Sequence, residues 1–383
     1  MSCKLLRPFR ALLPARPLPM TPATSRAFST TVPTASRRNA PPTIPSTSIK
    51  IFRDIAPLRQ WRKQQLLDHR TVGLVPTMGA LHSGHLSLMR RAACETRSVV
   101  VSIYVNPAQF GAHEDLDSYP KTWDADCALL RGLDRELADD GTAMGSIAAI
   151  FAPSTPSMYP SGFPAQTPDA KGSFVSITPV GELLEGASRP TFFRGVATIC
   201  MKLFNIVVPD KVYFGQKDVQ QTVVIRKMVK DFCMAPEVVV GETVRESDGL
   251  ALSSRNVYLG DRRRTVATVL SKALKVAETG YLRGHRSRDE LLGPANELAK
   301  LKLLEQRQMA PEQRCLWEID YISLADPETL EELTEVDESR GAILSGAIKM
   351  LPVEAPQEGE YLGLSAGPAV RLIDNINLNP LRP

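Results

Sequence analysis

Apolar residues in this chain fall into two recurring patterns. Residues 72–75 and 99–105 are short apolar runs without alternation, as expected of strands covered on both faces in a parallel sheet. Between them, Leu86, Met89 and Ala93 recur at helical spacing. The stretch therefore reads as strand, glycine loop and helix, with Pro76 and Gly79 breaking the strand. The same order returns at 212–222, where Gly215 makes the turn. Further helices are predicted at 55–69 and 196–207, and one on Leu129, Leu130 and Leu133 with Asp124 and Asp126 in its acidic first turn. Residues 148–151 and 237–240 read as strands, the second as the last of this layer. Residues 137–147 and the Pro-, Ser- and Gly-dense 153–172 read as long connections.

Beyond residue 241 the pattern changes to a helix at 261–278, a second helix, and apolar runs at 318–323, 341–350 and 370–374. That is a small α+β unit on a three-stranded sheet, with 309–314 and 352–368 as exposed insertions. The predicted organisation is a basic segment at 1–47, an α/β parallel-sheet domain at 48–241 and a smaller α+β C-terminal domain at 242–383.

Composition narrows the function classes. The formal net charge of +4 is small for 383 residues, with no basic stripe interleaved with aromatics after the N-terminal segment, so nucleic acid is not a favoured partner. No apolar run approaches the length of a membrane span. The six cysteines are scattered, without metal-ligand spacing, and read as reduced residues of an intracellular protein. Residues 1–53 lack Asp and Glu while carrying Arg7, Arg10, Arg16, Arg26, Arg37 and Arg38, the composition of a mitochondrial transit peptide. The competing reading is a disordered basic tail on a cytoplasmic protein, since prolines would interrupt an import helix.

Several polar residues stand where chemistry is expected. His82 falls in the loop and His85 near a helix start, where free backbone N–H groups favour anions; the plainer reading is a tight turn with surface histidines. Gln109 follows the strand exit at Asn106, where open α/β sheets bind ligands. One of Asp124 and Asp126 would hold a magnesium ion brought in by nucleotide phosphates, unless both simply cap their helix. Glu185, Arg189 and Arg194 lie in a glycine-bounded loop suited to a lid or substrate wall. Gly215 allows close backbone approach, Lys217 offers a mobile cation, and Asp218 suits a helix cap or ribose hydroxyls. Gln221 lies one turn further. Ser253, Ser254 and Arg255 form a polyphosphate clamp or, more plainly, a capped turn.

Taken together, the stretches Val75-Pro-Thr-Met-Gly-Ala-Leu-His-Ser-Gly-His85, Val105-Asn-Pro-Ala-Gln-Phe110, Leu184-Glu-Gly-Ala-Ser-Arg-Pro190, Phe214-Gly-Gln-Lys-Asp-Val-Gln-Gln221 and Leu252-Ser-Ser-Arg-Asn256 closely resemble the pantothenate synthetase family, the pantoate–beta-alanine ligases. The resemblance spans about residues 51–378. It implies a Rossmann-like nucleotidyltransferase domain, a C-terminal domain closing over it, and a homodimer. It also implies the reaction, in which ATP with Mg2+ adenylates pantoate and beta-alanine displaces AMP. By the same resemblance, His82 and His85 contact ATP phosphates, Lys217 and Arg255 brace the transferring groups, and Ser253 and Ser254 hold the triphosphate. Gly215 and Asp218 face the ribose; Gln109 and Gln221 bind pantoate in a pocket of Pro76, Thr77 and Met78, the last also beside ATP; Asp126 is the metal ligand. Three departures accompany it: Gln216 replaces a common Glu, Phe192 a common His, and the segments 137–147, 309–314 and 352–368 lack counterparts in compact members. Another H-x-G-H adenylyltransferase and a catalytically silent nucleotide-binding protein are the alternatives.

Overall fold

The structure is a computed structural model that describes residues 41–111, 114 and 116–381. The arginine-rich segment read as a transit peptide lies, through residue 40, outside the described residues.

The chain order is β1 (Lys50–Phe52), α1 (Ile55–Leu67), β2 (Val72–Thr77), α2 (Ser83–Glu95), β3 (Ser98–Ile103), α3 (Trp123–Asp139), β4 (Ser146–Phe151) and α4 (Thr155–Met158). It continues through α5 (Glu185–Ser188), α6 (Phe192–Val207), β5 (Lys211–Gly215), α7 (Val219–Asp231) and β6 (Glu237–Gly241). These six strands form one sheet of order β1-β4-β3-β2-β5-β6, with every pairing parallel. Chain order reverses beside β2: β3 lies on one side and β5 on the other. Crevices at such switch points, outside the carboxyl ends of the strands, are where open α/β sheets bind ligands.

Both faces are covered, which explains the unalternating apolar runs. Leu58 of α1, Leu203 of α6 and Val224 of α7 join Leu74 and Val100 in one core layer. Met89 of α2 and Leu130 and Leu133 of α3 join Val75, Val99 and Val101 in the other. Ile44, fully buried in that second layer, brings the packed chain a few residues ahead of residue 48.

The remainder folds as α8 (Gly260–Val266), α9 (Val269–Leu282), α10 (Arg288–Gln308), β7 (Trp317–Ala325), β8 (Ala342–Met350) and β9 (Val370–Leu378). The three strands form an antiparallel sheet, β7-β8-β9, and α9 and α10 cover it around Leu270, Leu274, Leu291, Leu344 and Ile348. The architecture is thus a Rossmann-like parallel sheet followed by a smaller α+β unit.

Local boundaries differ from the pattern reading for physical reasons. Pro76 does not end β2: the strand runs to Thr77, paired Pro76↔Ser102 and Thr77↔Ile103. Proline removes one ladder donor, and hydroxyls make good the join, Thr77 Oγ1 donating to Ser102 O at 2.7 Å. Residues 137–139 belong to α3 and 146–147 to β4, so the connection read at 137–147 is shorter. The helix read at 261–278 is two helices. Arg263 ties α8 to backbone carbonyls of Leu259 and Pro368 at 2.9 and 2.7 Å, while α9 turns onto the sheet. The segment 352–368 is largely exposed, as read, but it is tied down where the same buried guanidinium also donates to Leu362 O at 3.2 Å.

Candidate active site

The loop from β2 to α2 is built by its own short-range chemistry. Gly79 and Ala80 take positive φ values of 85° and 48°, turning the chain sharply after the strand. Thr77 Oγ1 accepts from Gly79 N–H at 3.2 Å. The carboxylate of Asp126, only 2% exposed on α3, accepts from the N–H groups of Ala80 at 3.1 Å and Leu81 at 2.8 Å, and from Thr122 Oγ1 at 3.0 Å. Asp126 therefore anchors the loop. With both oxygens occupied by donors it does not fit the magnesium role expected of it, and among the described residues no group of three His, Cys, Asp or Glu could hold a metal ion.

His82 is the N-cap of α2 and His85 stands three residues on. His82 Nδ1 accepts from Gly84 N–H at 3.2 Å, and His85 Nδ1 accepts from His82 N–H at 3.3 Å. This reciprocal cap satisfies backbone donors that a helix start leaves open. It also fixes the tautomer: each ring that accepts at Nδ1 carries its proton on Nε2. The rings lie 4.1 Å apart between centroids. Burial, then the nearby Lys217 cation, outweigh Asp218 and lower the His82 pKa to about 4. Burial, His82 and Lys217 lower that of His85 to about 3. At neutral pH the pair is two uncharged N–H donors, suited to phosphate oxygens and unsuited to proton donation as imidazolium.

The depressed values have a consequence for stability. In the unfolded chain these histidines take up protons below about pH 6.5, whereas the fold refuses them until about pH 4 at His82 and about pH 3 at His85. Their contribution is thus complete above about pH 6.5 and is lost as pH falls from there through about 4 for His82 and about 3 for His85. Replacing both with asparagine, whose oxygen can still cap, should flatten the decline in melting temperature between pH 7 and 4.5; an unchanged slope would refute the assignment.

The other predicted residues converge on the same place. Pro76, Thr77, Met78, His82, His85, Gln109, Gly215, Lys217, Asp218, Gln221, Ser253, Ser254 and Arg255 all line one cavity of about 220 Å³ at the carboxyl ends of β2, β3 and β5. Of the residues to which the resemblance gives a role, only Asp126 lies behind the wall. Gln109 Nε2 reaches Met78 Sδ at 3.3 Å, and Asn106 Nδ2 holds Gln109 Oε1 at 3.0 Å. Lys217 Nζ is 3.5 Å from Asp218. Ser253 caps the turn Ser254–Tyr258, accepting from Arg255 N–H at 3.2 Å.

A larger cavity of about 820 Å³ adjoins the first, shares Lys217, Asp218, Gln221, Ser253 and Arg255, and continues to Asp320, Lys349 and Arg371 of the C-terminal sheet. Arg189 stands between the two. It pairs with Glu114 and with Glu185 at 3.1 Å, and its guanidinium stacks 3.7 Å above the Phe192 ring. Phe192 thus supplies a flat face for a cation. Arg194 points elsewhere, donating to Ala165 O and Thr167 O.

Three residues escaped the pattern reading. Tyr119 shares a hydrogen bond with Ser254 at 3.0 Å and lies 5.7 Å below the Arg255 guanidinium. Asn106 is a buried hub bonded to Gln109, Gly195 O and the Tyr159 hydroxyl. Asn375, on β9, bonds the turn that carries Lys217. Of these only Asn106 stood in a motif, and nothing in its neighbourhood pointed to Tyr159.

Comparison with known proteins bears on this geometry. The family model "Pantoate-beta-alanine ligase" matches residues 50–377. The pantoate–beta-alanine ligase of Saccharomyces cerevisiae is 40% identical over 337 residues, covering 86% of this chain and 99% of that protein. The crystal structure of pantothenate synthetase from Thermus thermophilus superposes with a TM-score of 0.67 at 36% identity, covering 87% of this chain and all of that one. The Francisella tularensis ligase, solved in complex with beta-gamma ATP and beta-alanine, gives a TM-score of 0.57 at 28% identity over 86% of this chain and 97% of that one. The chain belongs to the pantoate–beta-alanine ligase family.

Proposed function

We propose that this chain condenses pantoate with beta-alanine at the described cavity, through pantoyl adenylate. The pantoate carboxylate attacks the α-phosphorus of ATP, forming the new P–O bond as the bond to the β-phosphate breaks and pyrophosphate departs. The amine of beta-alanine then attacks the activated carbonyl carbon, giving pantothenate and AMP. No protein nucleophile is required, so the chain's work is alignment and electrostatic stabilisation of the departing charge.

One observation carries this reading. Phosphate-type donors, namely the two uncharged imidazoles, Lys217, Ser253, Ser254 and Arg255, share one cavity with the uncharged group Pro76, Thr77, Met78, Gln109 and Gln221. The first set suits a triphosphate. The second suits a small hydroxy acid, whose hydroxyls an amide can bind without adding charge. The described residues do not build a magnesium site of their own, and we assign the ion to the nucleotide substrate. Lys217, Arg255 and the imidazole N–H groups would stabilise charge as it moves to the leaving pyrophosphate. Gly215 and Asp218 would take the ribose.

A direct assay uses purified protein lacking the first 40 residues, with ATP, magnesium and pantoate, with and without beta-alanine. Pantothenate and AMP should form only with both substrates, pyrophosphate release should require pantoate, and light scattering should give the mass of a homodimer. Pyrophosphate release driven by a mononucleotide in place of pantoate would favour the other adenylyltransferase class.

A further inference from the structure

Asn375 belongs to the C-terminal sheet, yet its side chain is spent on the turn that carries Lys217. It is 2% exposed. Its Nδ2 donates to the backbone oxygens of Gln216 and Lys217, both at 2.8 Å, while its Oδ1 accepts from Gln216 Nε2 at 3.3 Å. A primary amide has two hydrogens, and both are committed to these carbonyls. The far end of the clip is rigid. Asn375 pairs with Ser345 on β8, and its N–H donates to Asp374 Oδ1 at 2.8 Å. Asp374, itself buried, receives both arms of Arg245 at 2.6 and 2.8 Å. The near end has fewer local ties: the turn Gln216–Asp218 has no side-chain cap and no buried residue.

We propose that Asn375 is a positioning residue for Lys217. It clips the lysine's turn to the C-terminal sheet, so that the ammonium group reaches the reacting phosphates from a fixed backbone, and Gln216 is the residue matched to that clip. The proposal rests on the reading that Lys217 acts in adenylation. A glutamate at position 216 would set a carboxylate against Asn375 Oδ1, with neither amide hydrogen left to answer it, and the repulsion would loosen the clip.

The test measures pantoate-dependent pyrophosphate release for Asn375→Ala, Gln216→Glu, Lys217→Ala and the Asn375→Ala/Lys217→Ala pair, well below each melting temperature. Displacing a catalytic group by about 1 Å costs on the order of a hundredfold. Asn375→Ala should therefore lower kcat at least about tenfold with little change in the KM for ATP, and Gln216→Glu should lower it in the same way but less. Because Asn375 acts only through Lys217, adding Asn375→Ala to Lys217→Ala should cost nothing further. Losses that multiply in the double variant, or a normal kcat in Asn375→Ala with only a lowered melting temperature, would overturn the proposal. Should Asn375→Ala fail to fold, Gln216→Glu keeps the clip testable, and a wild-type kcat there would equally overturn it. Full turnover in Lys217→Ala would remove the reading on which the clip depends, an outcome distinct from failure of the clip alone.

Discussion

Lys217→Ala should lower pantoate-dependent pyrophosphate release by at least about two orders of magnitude, near 3 kcal/mol of transition-state stabilisation, while leaving the melting temperature almost unchanged. The two halves of that expectation have separate causes. Lys217 lines both cavities, and its side chain, 18% exposed, pairs only with the adjacent Asp218 at 3.5 Å among the described ion pairs. A loose contact of that kind contributes little to folding. In the reaction, by contrast, charge develops on the leaving pyrophosphate inside a partly enclosed site, where a preplaced ammonium group acts most strongly. The substitution also removes one of the influences holding His82 and His85 neutral, so both should titrate higher than in the parent chain. Single-turnover release and a thermal melt on the same preparation check both halves. A rate within about fivefold of the parent would remove Lys217 from the chemistry.

Much of this site was legible because its residues sit at strand exits, which composition and spacing mark well. The glycine loop before α2, the Asn106 exit after β3 and the Gly215 turn after β5 each follow an unalternating apolar run, and a parallel sheet places such exits along one edge. Periodicity located the runs, and the reversal of strand order at β2 brought their ends together. The clamp at Ser253, Ser254 and Arg255 arrives from a turn after β6, so its approach depends on the fold of the second half rather than on any local pattern.

What stayed hidden was partnership over long sequence separation. Asp126 is an acidic residue in a helix's first turn, and the sequence offers capping or metal binding for such a residue. Its actual partners, the N–H groups of Ala80 and Leu81, are some 45 positions away. Arg263, in a run of three arginines, is fully buried among backbone carbonyls and pins 352–368 beside the Ser254–Tyr258 turn. Asn375 reads as an ordinary polar residue near the end of a strand. In each case the side chain satisfies backbone groups, and backbone groups leave no signature in the residue pattern.

Gly195→Ala should destabilise the fold and raise the KM for pantoate, although helix propensity alone predicts the opposite. Gly195 lies within α6, where alanine is intrinsically favoured over glycine by about 1 kcal/mol. A β-carbon at this position, however, would sit 2.0 Å from the carbonyl oxygen of Ala108 and 2.7 Å from the backbone nitrogen of Gln109. That backbone has little room to yield. Asn106 holds it from within, bonding Gly195 O at 3.2 Å and Gln109 Oε1 at 3.0 Å, while the Tyr159 hydroxyl fixes Asn106 at 2.7 Å. Overpacking of this kind typically costs about 1–3 kcal/mol, enough to outweigh the propensity gain. The relief available is for the Asn106–Gln109 turn to move away from α6, carrying with it the amide proposed to hold pantoate. Gly132→Ala in α3 provides the control, since a β-carbon there meets nothing within 4 Å and should raise the melting temperature by a degree or more. If Gly195→Ala instead melted above the parent with an unchanged KM for pantoate, the contact between α6 and the strand exit would not be what places Gln109.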